Sequence, residues 1–79
     1  MTMTIDYPDL DAAIDAESWQ WLQDAAPPFA DAIAAEVKRG HEPADIRRRF
    51  MRLTQRPALA LRLEQAARHL GRQRQEASQ

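Results

Sequence analysis

In "PALALRLEQAARHLG", residues 57–71, Leu59, Leu63, Ala66, Ala67 and Leu70 recur at spacings of three and four. That period places them on one side of an α-helix, whereas a half-buried strand would need strict alternation. Pro57 suits a first helical position and Gly71 a position just past a helix end, so the stretch predicts a helix over 57–70. A lone amphipathic helix must bury its stripe against another element, and the rest of the chain offers only further helices.

Working outward, Ile33 and Val37 follow Phe29 at intervals of four between the Pro27-Pro28 pair and Gly40, which predicts a second helix over about 28–39. "HEPADIRRRFMRLT" places Ile46, Phe50 and Leu53 on one side, with Pro43 at its opening and Asp45 in the turn where the helix dipole favours an acid. This helix is expected over 43–54, because the residue before Pro57 avoids the α region. Toward the N-terminus, Leu10, Ile14, Trp21 and Ala25 share a face if one helix runs from about 9 to 25, with Trp19 then pointing the other way. A break near Asp15, with its carboxylate as a cap, is the alternative. Nothing reads as a strand, and there is no convincing internal repeat.

The expectation is an all-α fold, a small bundle of three to four short helices in a single domain spanning 1–79, with residues 1–8 and 72–79 flexible. The predicted core is Ile14, Trp21, Phe29, Ile33, Val37, Ile46, Phe50, Leu53, Leu59, Leu63 and Leu70. Seventy-nine residues lie near the size where one core supplies only roughly 3–5 kcal/mol. Fifteen of them are Ala, which favours helix but buries little area, so a partner or a second copy would add to stability.

Charge is distributed unevenly. Residues 1–36 carry eight acids and no Lys or Arg, while residues 37–79 carry all eleven Lys and Arg against four acids, so that the halves stand at −8 and +7 around a net charge of −1. Either two faces neutralise each other within the fold or one face is aimed at a charged partner. The acidic half exceeds what helix capping requires. A surface of spaced carboxylates suits a Lys/Arg-lined groove of the kind that holds a phosphate backbone. The first functional expectation is therefore a non-enzymatic protein-binding module, in concrete form a small inhibitor or adaptor docking on a basic groove of a nucleic-acid-handling complex. Its candidate partner-binding residues are Asp9, Asp11, Asp15, Glu17, Asp24 and Asp31 for charge and Trp19 as apolar anchor, since Trp is enriched at interface hot spots. In size and charge alone the chain is similar to anti-CRISPR proteins and other small products of mobile elements, with no motif matched residue by residue.

The basic half supports a different expectation. "DIRRRFMRLTQRP", residues 45–57, holds five arginines, and helix 43–54, a short turn and helix 57–70 have helix-turn-helix spacing. The alternative function is thus a DNA-binding regulator, as a dimer, using Arg47, Arg48, Arg52, Arg56 and Arg62. Its chemistry is the weaker, because the first turn of the second helix offers Pro57, Ala58, Leu59, Ala60 and Leu61 and no polar side chain to reach base edges. The structural alternatives are a solvated arginine face with Asp45 paired to Arg48 or Arg49, or arginines packed against the acidic half.

Catalytic signatures are weak. "HEPAD" at 41–45 resembles the opening of a zinc-protease motif, but Asp45 stands where the second His belongs and a proline intervenes. No cofactor, metal or catalytic residue is expected, and the chain is read as a non-enzyme. The chain has no Cys, which fits a reducing cytoplasm. "MTMTIDYPDLD" lacks a basic leader region, and no run of 18 apolar residues occurs, so neither export nor membrane insertion is expected.

Overall fold

The computed structural model describes residues 7–77, with side chains from 10 to 76. Four helices follow one another: α1 (Tyr7–Ala25), α2 (Pro27–Lys38), α3 (Pro43–Thr54) and α4 (Pro57–Ala77). The fold is all-α, and no strand occurs among the described residues. Three helices begin on a proline, where the missing N–H is no loss because that donor has no partner within the helix.

Their ends are equally local. Gly40, at φ +90, closes α2: its N–H donates to the Val37 carbonyl and the N–H of His41 to the Glu36 carbonyl, the paired bonds of a Schellman motif. Gln55 ends α3 in the left-handed region at φ 55, its N–H reaching the Met51 carbonyl. The Thr54 hydroxyl donates to the Phe50 carbonyl and accepts the Arg56 N–H, so the turn leaves few backbone groups open.

The last helix, α4, is the hub. It packs against all three others, α2 touches both α1 and α3, and α1 and α3 lie along different flanks of α4 without contact. Between them Leu22, Ile33, Val37, Ile46, Phe50 and Leu63 form the core together with the small residues Ala30, Ala66 and Ala67. Phe29 meets Phe50 edge to face, with ring centroids 6.1 Å apart, the geometry that aromatic quadrupoles favour. The alanines of α4 let its neighbours approach closely, which is how a chain with few large apolar side chains closes a core.

Two expectations are corrected. Ile14, Trp21 and Leu53 belong to the exposed surface and not to the core, with Leu53 at 70% exposure, while Leu22 is fully buried and Trp19 packs against the core. On α1 the inward stripe is Asp15, Ser18 and Leu22, rotated by roughly a quarter of a turn from the apolar one. Gly71 does not end α4, which continues to Ala77, so the tail expected from residue 72 is helical through 77. Arg72 and Arg74 explain the continuation, since one bonds the buried Asp15 and the other donates to the Val37 carbonyl. The single helix expected over about 9–25 is found, since α1 runs unbroken through Asp15; the alternative break does not occur, and the Asp15 carboxylate serves α4. Residues 1–6 and 78–79 of the expected flexible ends lie outside the described residues.

Candidate docking surfaces

Among the described residues four polar side chains are buried: Asp15, Ser18, Glu36 and Glu64. Each is matched. Asp15, 2% exposed, receives Arg72 Nη1 at 2.6 Å and Arg68 Nε at 3.3 Å, two arginines one turn apart on α4. The Ser18 hydroxyl donates to Gln65 Oε1 at 2.6 Å and ties α1 to α4. Glu36 gathers His41, Arg49 and Arg39, pinning the α2–α3 turn to the side of α3. Glu64 lies 3.6 Å from Arg47. No buried side-chain nitrogen or oxygen among the described residues lacks a partner, as a native interior requires.

The two charged halves thus interlock in part. Asp15 and Glu36 are consumed inside the fold by guanidinium groups of α3 and α4 and by the Arg39 at the end of α2. Asp11, Glu17, Asp24 and Asp31 stay exposed. Asp24 accepts only from Gln20, one turn earlier, and none of the four is ion-paired among the described residues. Asp9 lies in α1, but its side chain falls outside the described residues. Of the proposed contact residues, Asp15 and Trp19 are therefore placed inward and four carboxylates outward.

Helical phase then sorts the outward face of α1. Leu10, Ile14 and Trp21, all exposed, share one stripe with Glu17 and Asp24 along its edge. The stripe continues onto α4 through an open groove of about 280 Å³ lined by Ile14, Glu17, Ala58, Leu61 and Arg62 among others. The Arg62 guanidinium stacks 4.6 Å from the Trp21 ring centre, a cation–π contact that ties the indole of α1 to α4. Helical period in the sequence assigns two residues of this ridge, Ile14 and Trp21, to the core, and leaves Leu10 and Leu61 out of it.

The arginines of α3 sit on the other flank of α4. Arg47, Arg48 and Arg52 line a groove of about 430 Å³ floored by Met51, Pro57 and Ala60. Arg48 pairs with Asp45 at 3.2 Å, with both side chains largely in solvent. Arg52 and Arg56 have no acidic partner among the described residues. Arg62, the fifth arginine of the DNA-binding alternative, faces α1 through its stack on Trp21 and is separated from this cluster.

The "HEPAD" side chains serve other ends: His41 goes to Glu36 and Asp45 to Arg48. No group of three His, Cys, Asp or Glu among the described residues could hold a metal ion. No described helix is long and apolar enough to cross a membrane. Compared with protein families, curated proteins and solved structures, the chain shows no match.

Proposed function

We propose that this chain is a non-enzymatic protein-binding module and that the outer face of α1 is its docking surface. The observation that carries the reading is the exposed stripe of Leu10, Ile14 and Trp21, joined to Leu61 and edged by the exposed carboxylates of Glu17 and Asp24, which have no ion-pair partner among the described residues. Single exposed apolar side chains are ordinary. Four along one ridge, with an indole held in place by a stacked arginine, are the composition of an interface centre with a charged rim. The carboxylates select a partner whose apolar cleft is rimmed by Lys or Arg and speed its approach. A groove of a nucleic-acid-handling complex has that chemistry. The anchor, however, is Trp21 and not Trp19, and Asp15 has no part in it.

Calorimetric titration with an amphipathic Lys/Leu helix, beside a Glu/Leu helix as control, tests the reading. Binding of the basic helix only is expected, lost on Ile14→Ala with Trp21→Ala and weakened on Glu17→Lys with Asp24→Lys. Equal binding by the Ile14/Trp21 variant would remove the ridge from the account.

A second reading, DNA binding through α3 and the start of α4, is supported by the lack of acidic partners for Arg52 and Arg56 among the described residues. Against it stand Arg47 and Arg48, already engaged by Glu64 and Asp45, and a second helix whose first turn carries no base-reading side chain. A shift of random duplex at low salt, abolished by Arg48→Ala with Arg52→Ala, would favour it.

A further inference from the structure

The outer face of α1 asks for an apolar cleft rimmed by cations, and the same chain carries one. The α3–α4 groove has Met51, Pro57 and Ala60 as its floor and Arg47, Arg48 and Arg52 around it. We infer that this groove receives the outer face of α1 from a second copy of the chain. The inference rests on reading that face as a docking surface.

Three observations support this occupant. Charge is complementary: Glu17 and Asp24, neither ion-paired among the described residues, can meet Arg52, which has no acid of its own among the described residues, and Arg48, whose exposed pair with Asp45 is of the kind that contributes little and exchanges readily. The floor is apolar, which suits Ile14 and Trp21 better than a phosphate backbone. The carboxylates of Asp45 and Glu64 beside the groove's arginines repel any anion, and a helix edge with two acids far less than a phosphate backbone with its dense run of charges.

The two patches cannot satisfy each other within one molecule. They lie on different flanks of α4, and α1 and α3 make no contact. Each copy therefore offers one ridge and one groove, a head-to-tail interface that adds copies until a ring closes or a filament grows. With a net charge of only −1, little overall repulsion opposes that approach.

Sedimentation velocity on three forms of the full chain tests this. The wild type is expected to gain average mass with concentration at low salt and to lose it as salt rises. Glu17→Lys with Asp24→Lys destroys the ridge, and Arg48→Ala with Arg52→Ala destroys the groove; each variant alone is expected to stay monomeric. Mixed in equal amounts, they should form a species of twice the monomer mass and stop there, because one supplies the only intact ridge and the other the only intact groove. All four positions are exposed, and helical circular dichroism checks each fold; Trp21→Ala is a second ridge variant that leaves the charge unchanged. A mixture that stays at monomer mass overturns the inference, as does a wild type that remains monomeric but shifts duplex DNA through Arg48 and Arg52. If the mixture fails while the Lys/Leu helix still binds α1, the docking surface stands and only the second copy falls. If both fail, the docking surface falls too.

Discussion

Arg72 reaches across 57 positions of sequence to donate to Asp15 at 2.6 Å. The bond fastens the late turns of α4 to the middle of α1, and Arg68, one turn earlier, reinforces it at 3.3 Å. It also determines which side of α1 faces inward, since a carboxylate buried to 2% exposure is tolerable only where cations meet it. The outward position of the Leu10, Ile14 and Trp21 ridge is a consequence of this pairing.

Asp15→Ala should destabilise the fold by about 1–3 kcal/mol, below the range for a fully buried pair because both arginines keep access to water and need not remain stranded. Arg72→Ala, with the closer contact, should cost more than Arg68→Ala. Urea unfolding followed by helical circular dichroism measures all three. A loss under a few tenths of a kcal/mol for Asp15→Ala would show that this bond does not orient α1.

The two glycines should respond in opposite directions. Gly40 sits at φ +90, where a Cβ costs roughly 1–2 kcal/mol, although nothing lies within 4 Å of the added atom. Gly71 is inside α4 at ordinary helical backbone, again with open space around it, so Gly71→Ala should stabilise by about 0.5–1 kcal/mol. Thermal midpoints of the two variants should move to either side of the wild type, and a drop for both would contradict the continuous α4.

Leu22 and Leu53 make a similar contrast in the core. Leu22→Ala removes a side chain with no exposure and is expected to cost about 2–5 kcal/mol. Leu53→Ala, at 70% exposure, should stay within about 0.5 kcal/mol. The same denaturant titration separates them, and comparable losses would mean that Leu53 is covered in solution.

What could be seen from the sequence follows from the kind of constraint involved. Proline is prohibitive, so Pro43 and Pro57 delimit α3 at 43–54 as expected. Glycine is only permissive: Gly40 does end α2, while Gly71, identical in sequence logic, is carried inside α4 by the contacts of Arg72 and Arg74. Hydrophobic period found the inward sides of α2, α3 and α4 at Ile33, Val37, Ile46, Phe50 and Leu63, because those sides are apolar. It misplaced that of α1, where Asp15 and Ser18 point inward toward Arg68, Arg72 and Gln65, partners 47 or more positions away. The same error carried over to the candidate site: Glu17, Asp24, Asp11 and Asp31 lie on the surface, but the two tryptophans exchange roles.

That exchange yields a direct test. Trp19 packs against the core, and Trp19→Ala should cost toward the low end of the roughly 3–5 kcal/mol known for large aromatic truncations, since the ring is only partly buried. Trp21 is 39% exposed and loses chiefly its stack with Arg62, worth about 0.5–1 kcal/mol at such a site. Unfolding curves of the two single variants should differ accordingly, with Trp21→Ala folding normally while losing the Lys/Leu helix. The opposite order, with Trp21→Ala unfolding and Trp19→Ala unaffected, would return Trp21 to the core, and the ridge on α1 would lose its anchor.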